Sequence, residues 1–339
     1  MSASAPAQFQ PNCLANEIWY FPDPVPFGWT ILGPAQGPFS FIIGTWSFLC
    51  VPPRAPSPCH HGSASAANTA GNPIALCSGN TFIDETDIKI PGLGGGLSLM
   101  RTWNSDQPPP LGYCSLAMPG DGGYSSCYVI GPGIFGGNWR STYEERIYTG
   151  NDGYLTYLRS DGTSWAWGWD SSSSLFRVAA PANVAATFSQ VNSHPTITFQ
   201  NGEQRQFDNV TGNLVAIVDR NGNTTSIAYD TYGRLSTVTD PASRTLTFNY
   251  PNPSSTIVTS VSSSVGISVS YTYSGNVLTQ VTEQDLSTLK FTYGGALSLI
   301  TEVTDSQGKV IESHTYDGSG RGLSSSKANG VESVTITYP

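Results

Sequence analysis

The sequence predicts an all-β protein, in which an antiparallel hairpin-repeat sheet follows an extended, Pro/Gly-rich, disulfide-bearing N-terminal region. Three observations predict this fold class. Tyrosines recur about every 21 residues in the C-terminal half, short segments there alternate apolar and polar residues, and all 6 cysteines lie in the first 127 residues. A fixed period of about 20 residues is typical of stacked repeats, and strict alternation is typical of half-buried strands.

Residues 1–70 form the first predicted region, which is dense in proline and glycine. These residue types disfavour long helices, so we expect extended chain. The apolar segment 39–49 (FSFIIGTWSFL) predicts a buried strand and is too short to cross a bilayer as a helix. No signal peptide is recognisable in the opening MSASAPAQFQ. We therefore expect no membrane span.

Residues 71–138 form the second predicted region, with strands over residues 73–104 followed by loops rich in glycine and proline. Residues 139–339 form the third, which we expect to consist of β-hairpin repeats. Its early strands are joined by turn sequences such as Ser-Asp-Gly-Thr and Gln-Asn-Gly-Glu. No segment of the chain has a convincing helical period.

The third region repeats a phrase that closes on a tyrosine. The closing residues are Tyr229, Tyr250, Tyr273, Tyr293, Tyr316 and Tyr338, in steps of 21, 23, 20, 23 and 22 residues. Because a single hairpin cannot bury its own apolar face, the units must stack side by side into one sheet. We expect the apolar residues that follow the turn glycines to occupy equivalent inward positions; these are Leu214, Leu235, Val277 and Leu297.

Two sets of residues carry a resemblance to a known family. Residues 229–235 (Tyr-Asp-x-x-Gly-Arg-Leu) resemble the YD repeats of the RHS family. Upstream, residues 71–80, 85–87 and 101–104 resemble the uncharacterised domain that often opens RHS chains. RHS relatives, including bacterial toxin shells and the animal teneurins, wind such hairpins into a spiral β-sheet around a cavity. The resemblance implies that architecture for this chain.

The charge of the chain excludes several classes of partner. Only 12% of residues are charged, the formal net charge is −9, and lysine and arginine are not clustered. Nucleic acids and anionic membrane surfaces both require a basic face. We therefore expect neither as a partner.

The cysteines predict three disulfides and an oxidising compartment, because an even number in an irregular region is typical of secreted proteins. Six cysteines allow many pairings, and we favour Cys114–Cys127 and Cys50–Cys59 as local loops. A metal site at Cys59-His60-His61 is the weaker alternative, since no second ligand pair accompanies it. The disulfide candidates are Cys13, Cys50, Cys59, Cys77, Cys114 and Cys127.

Three tryptophans, Trp165, Trp167 and Trp169, alternate and would therefore lie on one face of a strand. Such a row can stack on the sugar rings of a surface glycan. It can equally form an aromatic ladder in a core or an interface, because aromatic cross-strand pairs are common in sheets. We favour the ladder.

No residue pattern indicates catalysis. Glu144 and Glu145 are neighbours on a predicted strand and would point to opposite faces, whereas glycosidases hold two carboxylates across a cleft. Glu283 and Asp285 lie where other units place a turn aspartate. His314 lies within a predicted repeat strand, and we expect its side chain to pack against a neighbouring strand. We expect no enzymatic activity, no catalytic or metal-ligating residues, and no cofactor.

Three functional hypotheses follow from these patterns. The first is a secreted or cell-surface structural protein, not an enzyme, whose RHS-type sheets self-assemble into a filament or a shell. The second is the N-terminal part of an RHS toxin shell that encloses a C-terminal toxin. The third is a carbohydrate-binding or adhesive module that uses the tryptophan row. The expected partner under the first hypothesis is a second copy of the chain.

Self-assembly would use strand exchange between two segments. One holds Phe39, Phe41 and Ile43, and the other holds Val334, Ile336 and Tyr338 on one face. An extended apolar segment can complete the sheet of another copy through main-chain hydrogen bonds, and such contacts repeat head to tail. In the alternative, the same N-terminal segment plugs the sheet of its own chain.

Overall fold

The computed structural model describes residues 18–20, 39–40, 47–51, 69–70, 73–76, 78–106, 112–114, 127–129, 133–149, 155–170, 175–180, 184–328 and 330–338. These residues form strands, turns and one short 3-10 turn at Leu93–Gly95. The described part of the chain contains no α-helix. The predicted all-β, antiparallel fold class is therefore confirmed.

The described strands are numbered in chain order. The strands that precede the longest sheet are β1 (Ile18–Tyr20), β2 (Phe39–Ser40), β3 (Ser47–Val51), β4 (Thr69–Ala70), β5 (Ile74–Ala75), β6 (Phe82–Ile90), β7 (Leu97–Asn104), β8 (Gly112–Cys114), β9 (Cys127–Val129), β10 (Trp139–Ser141), β11 (Arg146–Thr149), β12 (Leu155–Leu158), β13 (Ser164–Asp170) and β14 (Leu175–Ala180). The strands of the longest sheet are β15 (Ala186–Val191), β16 (His194–Phe199), β17 (Gln204–Phe207), β18 (Leu214–Val218), β19 (Thr224–Tyr229), β20 (Leu235–Thr239), β21 (Thr245–Asn249), β22 (Ser260–Ser263), β23 (Ser268–Ser274), β24 (Val277–Thr282), β25 (Thr288–Gly294), β26 (Leu299–Thr304), β27 (Val310–Tyr316), β28 (Gly322–Lys327) and β29 (Val331–Thr335).

The longest sheet, which we call the repeat sheet, has 15 strands in sequence order from β15 to β29. Every neighbouring pair is antiparallel, as consecutive hairpins require. Side chains along its strands alternate between buried and more exposed positions, as in β19, where Thr225 and Ile227 are buried. One face of the repeat sheet is therefore apolar, and the other is rich in serine and threonine.

The closing tyrosines join each unit to the strand before it. The Tyr250 hydroxyl donates to the carbonyl oxygen of Leu235 at 2.9 Å, across 15 residues of sequence. The same bond, spanning 15 or 16 residues, recurs at every closing tyrosine; the other donors are Tyr229, Tyr273, Tyr293, Tyr316 and Tyr338. Burial of a phenol requires such an acceptor. The period in the sequence thus corresponds to a repeated hydrogen bond.

The inward positions differ from the prediction in two units. Leu214 and Leu235 are buried as expected, but Val277 is only half-buried and Leu297 is 53% exposed. The acceptor carbonyls show that the equivalent residues are Leu278 and Ile300.

The reason for this difference is a longer strand before the turn. Ser274 and Gly294 extend their strands past the closing tyrosines and pair with Val277 and Leu299. The one-residue shift from Val277 to Leu278 moves the inward side chain to the other face of the strand. The turn after Gly294 comprises residues 295–298, against 275–276 after Ser274, so Leu297 lies in the turn and Ile300 takes the inward position.

The turns of the repeat sheet are organised by aspartates. The Asp230 carboxylate accepts hydrogen bonds from the backbone N–H groups of Tyr232 and Arg234, and Arg234 also pairs with it through its side chain. Asp240 and Arg244 repeat this arrangement. These bonds hold the pKa of Asp230 below its usual value although burial opposes this shift. The Asp-x-x-x-Arg spacing is therefore turn chemistry.

A second layer covers the apolar face of the repeat sheet. In it, β10, β7 and β6 form a three-stranded sheet, and Trp103, Trp139 and Phe135 lie in one hydrophobic core with the buried residues of the repeat sheet. We call the described residues 73–106 and 133–149 the cover unit. Because β10 pairs with β7, the predicted second and third regions share this sheet, while the domain division itself stays a prediction.

Three smaller sheets complete the described part of the chain. A six-stranded sheet has the order β14-β13-β12-β11-β8-β9, a two-stranded sheet pairs β4 with β5, and a three-stranded sheet has the order β1-β3-β2. In the latter, Phe39 pairs with Phe48 in antiparallel register. The prediction of a single strand over residues 39–49 is wrong, because an antiparallel pair within a segment requires the chain to reverse. Phe41 and Ile43 lie outside the described residues.

Candidate functional site

The contact between the cover unit and the repeat sheet centres on a buried ion pair. Arg101 on β7 is fully buried, and its Nε and Nη2 donate to the two carboxylate oxygens of Asp87 on β6, with Nη2–Oδ1 at 2.7 Å. The guanidinium lies 4.6 Å from the centre of the Trp139 ring. A bidentate pair stacked on an aromatic face is the geometry that suits arginine and not lysine.

The repeat sheet supplies a third member of this group. The Tyr271 hydroxyl, on β23, donates to Asp87 Oδ2 at 2.7 Å. Burial and the Asp87 charge raise the pKa of Tyr271 well above its usual value, so the phenol stays protonated and donates. Burial opposes the charge on Arg101, but the Asp87 carboxylate outweighs it and raises the pKa of the guanidinium. Asp87, Arg101 and Tyr271 thus join the two layers.

Backbone hydrogen bonds extend this contact along the ends of the repeat strands. Ile147 N–H donates to the Gly212 carbonyl at 2.9 Å, and Val258 N–H donates to the Ile134 carbonyl at 2.9 Å. A Cβ on Gly212 would come within 2.0 Å of the Ile147 carbonyl oxygen. Glycine at position 212 is therefore required by close approach as well as by its positive φ of 70°.

Glu145 makes a second buried polar group between the layers. The Tyr157 hydroxyl donates to its Oε2 at 2.7 Å, and Arg205 Nε on β17 donates to the same oxygen at 2.9 Å. Arg205 also pairs with Glu203. Burial raises the pKa of Tyr157, and the Glu145 charge raises it further. Glu145 is therefore committed to holding strands together.

Glu144, its neighbour, points into a different buried environment. Its Oε1 accepts from Ile134 N–H at 2.7 Å, and its Oε2 accepts from the Ser141 hydroxyl at 2.8 Å. Burial raises the pKa of Glu144. The two glutamates lie between β10 and β11 and not on the predicted strand. They have different partners, and each one stabilises a loop or a strand contact.

Carboxylates with raised pKa values lie where β6 meets the repeat sheet. Burial raises the pKa of Glu85 to about 7, and the charges of Glu312, Asp87 and Glu283 act in the same direction. Burial likewise raises the pKa of Glu283 to about 7. Close to them, His314 is buried and its Nε2 lies 3.4 Å from Glu312 Oε2. His314 also packs against Tyr316 on its own strand.

Of these acidic residues, Glu283 is considered from the sequence as a possible catalytic carboxylate, and the Arg101 group is absent from the sequence predictions. A usable signal was present in the Arg-Thr-Trp-Asn motif. Because Arg101 and Trp103 alternate on β7, they share a face, and the burial of Trp103 requires Arg101 to find an acidic partner. What could not be read from sequence is that Tyr271, far along the chain, completes the group.

Two residues of the tryptophan row, Trp165 and Trp167, pack in or against the core. Trp167 is fully buried and packs against Tyr157 and Phe188. Trp165 lies under Arg159 at 4.7 Å and against Phe199. The glycan-stacking hypothesis is wrong for Trp167, because no face of its ring reaches solvent. The side chain of Trp169 lies outside the described residues.

The disulfide hypothesis rests on backbone register for one pair. Cys114 on β8 and Cys127 on β9 are direct partners in an antiparallel ladder, a position whose Cα separation suits a disulfide. Cys50 is a register partner of Trp19. Cys13, Cys59 and Cys77 lie outside the described residues. The three disulfides stay a prediction.

The predicted assembly residues at the C-terminal end lie on β29 and just after it. Val334, Ile336 and Tyr338 are all half-buried, and the Tyr338 hydroxyl donates to the Gly322 carbonyl at 2.7 Å. Among the described strands, β29 is an outermost strand of the repeat sheet and pairs with β28 alone. Its other edge therefore presents backbone groups that a further strand can pair with.

Membrane-spanning helices and metal sites were both considered for the described residues. No helix among the described residues has the length and apolarity needed to cross a membrane. Within the same residues, His, Cys, Asp and Glu side chains form no group of three or more that could hold a metal ion.

Comparison with known proteins adds two family matches. Residues 209–245 match the RHS Repeat model, and residues 71–117 match a domain of unknown function, DUF6531. The first match covers β18 to β20 of the repeat sheet, and the second covers β6 and β7 of the cover unit. Among curated proteins, none matches this chain.

Solved structures similar to parts of this chain include complexes of TcdB2 with TccC3 and a Tc holotoxin pore. The crystal structure of TcdB2-TccC3-Cdc42 aligns at 14% identity and a TM-score of 0.31, covering 56% of this chain and 12% of the other. A Tc holotoxin pore from Photorhabdus luminescens aligns at 10% identity and a TM-score of 0.27, covering 76% and 15%. This chain thus spans less than a fifth of the length of these structures.

The family matches coincide with the two structural layers. The RHS Repeat match lies within the tyrosine-closed hairpins, and the DUF6531 match contains the Arg101–Asp87 pair. The resemblance drawn from the sequence is therefore confirmed. The chain contains RHS/YD repeats in its C-terminal half, preceded by the uncharacterised domain that commonly opens RHS chains.

Proposed function

We propose that this chain is a structural, non-enzymatic segment of an RHS-type β-sheet wall, in the manner of the N-terminal part of a toxin shell. The observation that carries the proposal is the continuous 15-stranded sheet with one apolar and one polar face. Each unit is joined to the preceding one by the same tyrosine bond. A sheet built in this way can be extended by adding further units, and it can form a wall with an apolar and a polar face.

The polar groups of the chain support a structural role. The turn aspartates stabilise the turns of the repeat sheet, and Glu145 binds Arg205 on β17. Asp87 pairs with Arg101 within the cover unit. An acid–base catalyst must reach its substrate, and these carboxylates are occupied by protein donors. The wall proposal therefore assigns them to stability.

A toxin shell also needs its cargo and the rest of its wall. Under this proposal, the cover unit occupies the inner face of the first turns of the wall, and later strands continue from β29. The RHS resemblance implies the enclosed cavity. The family match to DUF6531 at the cover unit supports this order, because that domain opens RHS chains.

The test is the particle that the purified chain forms. A wall segment predicts discrete particles of one chain by light scattering, with a protease-resistant body that includes both the cover unit and the repeat sheet. Negative-stain images are expected to show short curved objects. Rapid proteolysis between the cover unit and β15–β29 would overturn the proposal.

Self-assembly of an extracellular structural protein is the second candidate, and the edge strand β29 favours it. Val331 on this strand is 62% exposed, and an apolar, exposed sheet edge is a site for pairing with another chain. Assembly predicts particles that lengthen as the protein concentration rises. β29 already carries the exposed Glu332. Because a further charge on an edge strand opposes pairing, Val331→Lys is expected to reduce the lengthening strongly.

A matched control variant distinguishes pairing at the sheet edge from nonspecific hydrophobic association. Val210 is similarly exposed, at 54%, but lies at a hairpin turn. Val210→Lys is therefore expected to leave assembly unchanged. If the wild-type chain stays monomeric at every concentration, the self-assembly candidate is rejected and the wall proposal stands.

A further inference from the structure

The contact between β6 and the repeat sheet brings carboxylates from three separate elements together. Glu85 lies on β6, Glu283 lies in the turn after β24, and Glu312 lies on β27. We call these residues the carboxylate cluster. Glu85 is the antiparallel register partner of Arg101. Glu283 follows two residues after Val281, the register partner of Tyr271, so both glutamates flank the Arg101–Asp87–Tyr271 group. Glu85 also experiences the negative charges of Glu312 and Glu283. Among the described residues, the side chains of Glu85 and Glu283 show no hydrogen bond or ion pair that would hold a charged carboxylate.

The neighbouring charges do not neutralise the cluster. Arg101 faces both Glu85 and Glu283, but its Nε and Nη2 are already bonded to Asp87. Asp87 adds a further negative charge next to both glutamates, and Asp285 adds one next to Glu283. Glu85 therefore has three negative neighbours, Glu312, Asp87 and Glu283, and one cation that is already paired.

The repeat sheet contributes one basic side chain next to the carboxylate cluster. His314 on β27 lies beside Glu312, with Nε2 3.4 Å from Oε2. Its side chain is fully buried, and its Nδ1 has no hydrogen-bond partner in the described structure. Since the cluster spans the cover unit and the repeat sheet, charge repulsion within it acts directly on the contact between the two layers.

We propose that protonation of the carboxylate cluster controls how firmly the cover unit is held on the repeat sheet. In mild acid, Glu85 and Glu283 are neutral, repulsion is absent, and the cover unit is held firmly. At neutral and higher pH the carboxylates ionise against one another and against Asp87, and the edge of the cover unit at β6 loosens. The apolar face of the sheet beneath it then opens.

The pH window follows from the raised pKa values. In the unfolded chain a glutamate has a pKa near its ordinary value of 4.5, whereas burial raises the pKa of Glu85 and of Glu283 to about 7 in the folded chain. Between these values the folded chain binds more protons than the unfolded chain. Stability is therefore greatest below the lower value and is lost as pH rises through about 7.

The turn aspartates do not act in this window. Asp230 and Asp317 have pKa values below their ordinary value, because Arg234 and Arg321 and nearby backbone N–H groups hold them ionised. Their contribution to stability is lost only in stronger acid. A fall in stability between about pH 5 and about pH 8 consequently reports groups with raised pKa values.

The first experiment compares unfolding of the wild-type chain with that of the double variant Glu85→Gln/Glu283→Gln across this range. Ionisation of Glu85 and Glu283 is expected to lower the wild-type ratio of folded to unfolded chain about tenfold or more between about pH 5 and about pH 8. This figure allows for screening of the charges by solvent. The double variant is expected to lose most of this fall and to exceed the wild type at the higher pH.

The control variant is Glu332→Gln, which removes an exposed carboxylate on β29 that is 68% accessible. It is expected to follow the wild-type pH profile. Histidine titration is common to all three proteins, so the difference between variants isolates the cluster. An identical pH profile for the double variant and the wild type would overturn the proposal.

Hydrogen exchange locates the effect within the chain. After correction for the intrinsic pH dependence of exchange, peptides from β6 are expected to exchange faster at about pH 8 than at about pH 5. Peptides from β19 and β20 are expected to keep their protection. Equal loosening of both sets would contradict a local action at the cover unit.

Carboxyl NMR of the wild-type chain, labelled in its glutamates, keeps the test valid if the double variant does not fold. Two glutamate carboxyls are expected to titrate near pH 7, and Glu85→Gln and Glu283→Gln as single changes assign them. If every glutamate titrates near its ordinary pKa, the proposal is wrong.

Discussion

The repeat sheet and the cover unit are held together in opposite ways. In the repeat sheet, stability is distributed: each unit contributes the same tyrosine-to-carbonyl bond and one or two buried aliphatic residues, as at Tyr250 and Leu235. In the cover unit, stability is concentrated in one group, Arg101, Asp87 and Tyr271, surrounded by aromatic rings. The difference implies that a single substitution is tolerated better in the repeats than under the cover.

The largest expected effect is therefore at Arg101. Arg101→Met leaves Asp87 buried without its partner, and breaking a buried ion pair in this way costs about 3–5 kcal/mol. We expect a loss of this size in the free energy of unfolding, measured by urea denaturation. Adding Asp87→Asn to the Arg101→Met variant is expected to recover part of the loss, because no uncompensated charge then remains.

A single inward leucine has the next largest expected effect. Leu235 is 3% exposed, and truncating a buried leucine costs about 2–5 kcal/mol. Leu235→Ala should lower the unfolding midpoint accordingly. Leu297 is the matched control, because it carries the corresponding sequence phrase but lies exposed in a turn. Leu297→Ala is expected to change stability by less than about 0.5 kcal/mol, and a loss as large as that of Leu235→Ala would restore the register drawn from the sequence.

The tyrosine bond has a smaller expected effect in any one unit. Tyr250→Phe keeps the ring but leaves the Leu235 carbonyl without its donor, which costs about 1–2 kcal/mol. Tyr232, which is 62% exposed, serves as the control, and Tyr232→Phe is expected to change the free energy of unfolding by less than about 0.5 kcal/mol. Equal effects of the two changes would show that the repeated bond carries no stability.

The sequence was sufficient for the repeat sheet because its period, its alternation and its turn residues all agree. It located the closing tyrosines and the inward Leu214 and Leu235. It failed at Val277, where the strand runs one residue further than the period, and at Leu297, which lies in a longer turn. The cover unit has no period. Its key contact joins Asp87 to Tyr271 across 184 residues, and no local pattern encodes such a pairing.

The smallest expected effect is at a strained turn. Leu286 has a φ of 70° at a turn position where the equivalent residue of a neighbouring unit is Gly308, with a φ of 77°. Asparagine adopts this left-handed region more readily than leucine. Leu286→Asn is therefore expected to raise the free energy of unfolding by about 0.5–1 kcal/mol.

The reverse change at the equivalent turn is the control. No atom would lie within 4 Å of a Cβ on Gly308, so Gly308→Ala tests backbone strain alone. It is expected to lower the free energy of unfolding by about 1 kcal/mol. Effects of the same sign at both positions would show that φ is not the cause.

The cover unit and the repeat sheet share one core, joined through Asp87 and Tyr271. A double-mutant cycle on these two residues measures this link, using Asp87→Asn, Tyr271→Phe and the double variant, with unfolding followed at about pH 5. We expect a coupling free energy of about 1 kcal/mol or more, because the two side chains share a buried, charge-assisted hydrogen bond. Strict additivity of the two single changes would contradict it.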